Sequence, residues 1–239
     1  MAGDTAAATE LGMDLLEGVR GSRGRTIVRR NSRAAVQFLR QAANAGDLTA
    51  ACSLGYAYDV GLGVDRNIRL AVYWYRRAAL KGYGPAAVNL ATIYRDAGKS
   101  KQAFQWWNLA ASRKDGDAAV DAAYCFQYGI GIRRDPVEAK RLYRMAMRSR
   151  NISGYGREAA MYHSAVELID EGKMAPAIRL LKRASSDGDF PEATSVLRQF
   201  RSGVEVKPCR CRRFIKKTLL GHARCLVHAQ RSPDDCALQ

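Results

Sequence analysis

Apolar positions along this chain recur as one helical phrase: a small residue, two large apolar residues three and four places on, then a second small pair. The copies are Ala35, Phe38, Leu39, Ala42, Ala43; Ala71, Trp74, Tyr75, Ala78, Ala79; Ala103, Trp106, Trp107, Ala110, Ala111; Ala139, Leu142, Tyr143, Ala146, Met147; and Ala177, Leu180, Leu181, Ala184, Ser185. This spacing places all five side chains on one stripe of a helix. A preceding stripe accompanies four of the copies: Ala51, Leu54, Gly55, Tyr58; Ala87, Leu90, Ala91, Tyr94; Ala119, Ala122, Ala123, Phe126; and Met161, Ser164, Ala165, Leu168. Each unit therefore predicts two helices with small residues where they cross. The leading alanines at positions 35, 71, 103, 139 and 177 give the period of an all-α solenoid, of about five helix-turn-helix repeats plus a capping helix.

The turns agree with the period. Gly61-Leu62-Gly63-Val64 and Gly129-Ile130-Gly131-Ile132 stop a first helix, because glycine takes the left-handed conformation that ends helices. Asn67 and Asp135 then stand where an N-cap is needed, and Pro136 suits the first helical position. Gly46, Gly82, Gly116 and Gly188 are expected to close the second helices.

The string Leu54-Gly55-x-x-Tyr58-x-x-Gly61-x-Gly63-Val64, then Asn67, then Ala71-x-x-Trp74-Tyr75-x-x-Ala78-Ala79-x-x-Gly82 resembles the Sel-1-like repeat, a relative of the tetratricopeptide repeat with a longer internal loop. The resemblance covers about residues 5 to 201. Copies three and five, with Gly98-Lys99-Ser100 and Gly172-Lys173-Met174, lack the long loop, and the first copy carries an arginine-rich insertion. The resemblance implies a right-handed superhelix that assembles other proteins. The secreted branch of that family, with cysteines paired in every repeat, does not match, because Cys52 and Cys125 lie singly.

Composition adds a charge. The formal net charge is +16, a field that attracts nucleic acid, anionic membranes or acidic proteins. One cluster runs Arg20, Arg23, Arg25, Arg29, Arg30, Arg33; partner contact and simple solvation both account for it. A second, Arg133, Arg134, Arg141, Arg144, Arg148 and Arg150, reads as a solvated face. No apolar run approaches the roughly 20 residues of a membrane span, and the first ten residues lack the pattern of a secretory signal. A soluble intracellular monomer, cytoplasmic or nuclear, is expected.

The repeat ends near residue 201, and residues 202–239 form a separate basic Cys/His-rich segment. Cys209-x-Cys211 and Cys225-x-x-His228 are two short-range pairs about a dozen residues apart, the spacing logic of a closed structural zinc site. His222 is an alternative ligand. A disordered basic tail, or one that packs Phe214 and Ile215 on the last repeat as a cap, fits the same residues.

Register also nominates a partner-binding groove. In this superfamily the first helices line the concave face, and the positions off the packing stripe are Ser53, Asn89, Asp121 and His163, with Tyr56, Thr92, Tyr124 and Val166 three residues on. A polar and tyrosine ladder suits a peptide or a partner helix. His163 has no local partner for a triad, and the Gly-x-Gly loops lack the strand and further glycines of a phosphate loop. The expected function is a non-enzymatic protein-interaction scaffold, with a nucleic-acid-associated adaptor as the alternative.

Overall fold

The computed structural model describes residues 2–20, 26–186 and 190–201. Among them are eleven helices: α1 (Ala2–Glu17), α2 (Ser32–Asn44), α3 (Leu48–Val60), α4 (Ile68–Leu80), α5 (Gly84–Asp96), α6 (Ser100–Ser112), α7 (Gly116–Tyr128), α8 (Pro136–Arg148), α9 (Gly154–Asp170), α10 (Met174–Ala184) and α11 (Pro191–Arg201). The recurring phrase falls on α2, α4, α6, α8 and α10, and the preceding stripes on α3, α5, α7 and α9. The all-α arrangement of five helix pairs followed by a further helix is the one the periodicity predicts. An element that periodicity does not predict is a short ribbon inside the arginine-rich insertion. There β1 (Val19–Arg20) pairs antiparallel with β2 (Thr26–Val28), Val19 opposite Val28.

The chain divides within α5 into two compact units, one up to Ile93 and the other from Tyr94. In the first, α1 packs on α2, α2 on α3, and α3 on α4. In the second, α6 packs on α7, α7 on α8, α8 on α9, α9 on α10, and α10 on α11.

Packing within each unit follows the stripe. On α4 all five phrase positions are buried, with Ala71 and Ala78 at 0% exposure. Small side chains there let the partner helix close in, so Trp74 and Tyr75 fill the remaining space, each contributing about 1.5–3 kcal/mol of apolar burial. Gly55 belongs to the same contact: a Cβ there would lie 2.8 Å from the Tyr75 ring. On α2 and α6 the stripe is turned by one residue. Phe38 and Trp106 are half-buried, whereas Val36 and Phe104, one place after the leading alanine, are buried. Phe104 meets Phe126 of α7 edge to face at 5.1 Å.

The caps stand where the sequence predicts them. Asn67 Oδ1 accepts from the Leu70 N–H at 3.1 Å, and Asp135 Oδ1 from those of Val137 and Glu138 at 3.0 and 3.1 Å. Asn31, Asp47, Asp115 and Ser153 cap α2, α3, α7 and α9 in the same way.

The second glycine of each long loop has two separate reasons to be glycine. Gly63 and Gly131 have φ of +74° and +72°. A Cβ on Gly63 would overlap the Ser32 carbonyl and come within 2.9 Å of the Arg33 nitrogen; one on Gly131 would overlap the Ser100 carbonyl and come within 2.7 Å of the Lys101 nitrogen. Each long loop thus lies directly on the start of the second helix of the preceding pair, and the neighbour is backbone, which has no rotamer to yield.

One expected closure is corrected. Gly116 does not end α6 but begins α7, and the left-handed residue in that turn is Lys114, with φ +67°. Gly46 and Gly82 take that place after α2 and α4, with φ of +102° and +108°. Gly116 is glycine for another reason: a Cβ would lie 2.5 Å from Ile152 Cβ and 2.7 Å from the Asn151 carbonyl oxygen. Gly188 lies outside the described residues.

Gly63→Ala and Gly131→Ala are each expected to destabilise the fold by about 2–4 kcal/mol, combining a left-handed alanine with an overlap against backbone. Urea unfolding followed by circular dichroism measures this. An unchanged midpoint in both variants would contradict the loop contacts.

Candidate partner-binding site

The first helices carry the predicted ladder, and each unit holds part of it. In the first unit Ser53 and Tyr56 on α3, and Thr92 on α5, are half-buried. Thr92 Oγ1 donates to the Val88 carbonyl of its own helix at 3.1 Å. Asn89 is buried and directs its Nδ2 at Cys52 Sγ, 3.6 Å away. Burial pushes the Cys52 thiol up to about 12, against the smaller opposing effect of the Asn89 hydrogen bond.

In the second unit Asp121, Tyr124 and His163 are buried, as is Val166. The sequence reading places them on an open face; the structure places them in the interior. The cause is visible on α7, which contacts α6, α8 and α9 and buries Ala118 through Cys125 without interruption. A helix covered on several sides has no solvent stripe, so residues off the crossing stripe are buried as well.

The interior they form is aromatic. The His163 ring stacks on Tyr143 at 5.4 Å with 12° between planes. Tyr124 and Tyr162 meet it edge to face at 5.2 and 5.3 Å. Tyr143 donates its hydroxyl proton to Gln127 Oε1 at 2.8 Å. Burial pushes His163 down to about 3, so the imidazole stays neutral at physiological pH. Burial pushes the Asp121 carboxyl up; Asp117 and Asp115 act in the same direction and Arg95 against it. Glu167 rises to about 7, first through burial, with Lys140 opposing and Glu171 and Asp170 reinforcing. Lys140 itself is paired with Glu171, whose carboxylate falls to about 2 through the hydrogen bonds of Lys140 and Lys173.

Of the first basic cluster, Arg29, Arg30 and Arg33 are exposed. Arg33 lines a cleft of about 730 Å³ together with Tyr58, Asp65, Arg66, Asn67 and Leu70. Arg20 lies in β1, and Arg23 and Arg25 fall outside the described residues. So do Cys209, Cys211, Cys225, His228 and His222. Among the described residues no group of three or more His, Cys, Asp or Glu side chains is placed to hold a metal, and no helix is long and apolar enough to cross a membrane.

Sequence reasoning missed the Lys114 turn and a second cleft, of about 740 Å³, that Lys114 lines with Arg141, Arg144, Arg148 and Arg150. Lys114 stands three residues after Ala111, the place that Gly46 and Gly82 hold after Ala43 and Ala79, and the next glycine, Gly116, comes two residues later; that offset was the sign in the sequence.

The Sel1 repeat family model matches residues 5–47, 48–83, 85–115 and 116–149. Chitin synthase regulatory factor 3 of Schizosaccharomyces pombe is 30% identical over 114 residues, covering 45% of this chain and 12% of that protein. DAP3-binding cell death enhancer 1 of Mus musculus is 42% identical over 60 residues, covering 25% of this chain and 12% of that protein. The chain therefore matches about an eighth of the length of either relative. Among solved structures, a Sel1 repeat protein from Oxalobacter formigenes superposes with a TM-score of 0.66 at 24% identity, over 89% of this chain and 86% of that one. The protective antigen c5321 of uropathogenic Escherichia coli, described as an SLR fold, gives 0.70 at 19% identity over 90% of this chain and 45% of that one. These two likenesses show the fold.

The buried groups set opposed pH dependences. A histidine depressed to about 3 costs stability as pH falls from its unfolded value near 6.5, because only the unfolded chain takes up the proton. A glutamate raised to about 7 costs stability as pH rises from its unfolded value near 4.5, because only the unfolded chain releases the proton. Raised Asp121 acts in the same direction as Glu167. Between about pH 4.5 and 6.5 the slopes of His163 and Glu167 oppose each other. Glu167→Gln is expected to remove the loss of stability towards pH 7, and His163→Phe to flatten the acid limb below pH 6.5. Urea midpoints measured from pH 4 to 8 test both; parallel curves for wild type and variants would contradict the assignment.

Proposed function

The chain belongs to the Sel1 repeat family, and from that premise we propose that it is a non-enzymatic scaffold that holds partner proteins. The observation that carries this reading is the run of family repeats from residue 5 to residue 149, because such repeats typically serve protein-protein interaction. A stack of helix pairs offers extended surface rather than one enclosed pocket. The half-buried polar and tyrosine positions Ser53, Tyr56 and Thr92 support a peptide or helix contact on the first unit. Buried thiols at Cys52 and Cys125, both free, are compatible with a reducing intracellular compartment.

The tail is read as a second element of the scaffold. Cys209, Cys211, Cys225 and His228 would close a Cys₃His zinc site, with His222 as the alternative ligand. Ordering a short, weakly apolar segment needs such a staple, and a structural zinc supplies roughly 10–16 kcal/mol. The net charge of +16 favours a second reading, a nucleic-acid-associated adaptor that uses the arginine clusters and the tail.

Two measurements test these readings. Quantitative affinity purification with the full chain and with a chain lacking residues 203–239 is expected to retain shared protein partners in both forms. Retention of none by either form would refute the scaffold, and recovery of RNA or DNA with a steep salt dependence would favour the second reading. Metal analysis of the purified full chain is expected to find about one zinc per chain, lost in the Cys209→Ser/Cys225→Ser variant. Protein without stoichiometric metal would remove the zinc site.

A further inference from the structure

Four of the six arginines in the second basic cluster line one concavity. The 740 Å³ cleft lies where the C-terminal end of α8 passes the start of α7, closed on one side by residues 149–151. Its rim carries Lys114, Arg141, Arg144, Arg148 and Arg150 against one carboxylate, Asp115. Asp115 is committed to α7, accepting from the Ala118 N–H at 2.9 Å. Arg141 is held by Glu138 at 2.6 Å. The other four cations surround a floor built from Met145, Ala146 and Gly116. We propose that this cleft is the docking site for an acidic peptide segment of a partner protein, anchored by an apolar side chain in the cleft.

Lys114 is the independent pointer. It is the one non-glycine residue with positive φ among the described residues, in a turn whose counterparts after α2 and α4 are Gly46 and Gly82. A left-handed non-glycine residue costs of order 1–3 kcal/mol, and such strain clusters at functional positions. A glycine would relieve that strain and remove the side chain that stands on the cleft rim.

The 149–153 segment beside the cleft is held firmly. Ser149 Oγ contacts the Lys114 and Asn151 carbonyls, at 3.3 and 3.2 Å. The Gly116 N–H donates to the Asn151 carbonyl at 2.8 Å. Two residues on, the Ser153 hydroxyl and N–H both donate to the Asp117 carboxylate, at 2.8 and 3.1 Å. These bonds tie the 149–153 segment to α7 before any partner arrives, which lowers the ordering cost of binding.

The chemistry selects the occupant. Guanidinium forks match carboxylates bidentately, and their aliphatic stems extend an apolar floor. The volume lies within the roughly 300–1,000 Å³ of side-chain and small-ligand pockets. A nucleic acid backbone needs a track of cations for successive phosphates, whereas this is a single cup with an apolar base. The proposal deepens the scaffold reading and rests on it.

The test uses the full chain and a fluorescein-labelled peptide of two central leucines flanked on both sides by aspartates, followed by fluorescence anisotropy at about 0.15 M salt. Arg144→Gln/Arg148→Gln is expected to weaken binding roughly tenfold or more, the usual scale for removing charge-assisted contacts. Lys114→Gly should weaken it severalfold while the protein stays at least as heat-stable as wild type, a pair of readouts that misfolding would not give. Arg29→Gln/Arg30→Gln/Arg33→Gln, which removes more charge at another place, should leave binding within about twofold, and a peptide with alanines for the leucines should bind roughly tenfold worse. The proposal is overturned if the triple variant loses as much as the double, if the alanine peptide binds equally, or if a twelve-nucleotide oligouridylate binds tighter through the same arginines. If the double variant still captures every wild-type partner in affinity purification, the cleft fails while the scaffold stands.

Discussion

The distance at which two helices can approach is set here by alanine. Ala71, Ala78, Ala103, Ala110, Ala139 and Ala146 are wholly buried at the crossings, and none presents a side chain longer than a methyl group. Close approach leaves little room between the backbones, so one large residue per turn is enough to fill it. Leu39, Tyr75, Trp107, Tyr143 and Leu181 are accordingly among the largest fully buried side chains. The contact is unforgiving in both directions, since interiors this dense transmit any added methylene as strain and leave a cavity for any lost one. The long loops obey the same rule. Gly63 and Gly131 let loop backbone touch helix backbone, which no residue with a side chain could do.

This is why so much of the fold was legible in the sequence. Periodicity needs only the repeated choice between small and large, and caps such as Asn67 and Asp135 need only the local backbone. The ribbon of β1 and β2 was not legible, because two strands of two and three residues carry no measurable alternation. The groove was legible only in part. A stripe argument presumes one covered face, and α7 is covered on several, so Asp121, Tyr124 and His163 lie within the unit while Ser53 and Tyr56 keep some exposure. The apolar run from Ala118 to Phe126, interrupted only by Asp121, was the available sign: it is too continuous for a single stripe and puts apolar side chains on every side of the helix.

Buried polar groups in such helices are tolerated by neutrality. His163 sits among four tyrosine rings and carries no charge at physiological pH, and stacking on Tyr143 replaces part of what hydration would supply. Glu167 lies at the edge of this region, where Lys140 and Arg134 partly offset the cost of its charge. The interior of the second unit thus responds to acid and to base through different residues. The pH of greatest stability is a balance between them rather than a property of net charge.

Surface and interior follow opposite logics, and Lys114 stands where they conflict. The turns after α2, α4 and α6 each take a left-handed residue three places after the last alanine of the phrase. Gly46 and Gly82 meet that demand at no steric cost. At the third turn the chain accepts the strained form and gains a cation that lines one cleft with Arg144 and Arg148. Repeat architecture makes the comparison internal to one molecule: the turns after α2, α4 and α6 each place a left-handed residue at the same position, and two of them use the cheaper residue. Of these three turns, the one that departs from glycine is the one whose residue lines a basic cleft. The turn geometry alone would be served better by glycine.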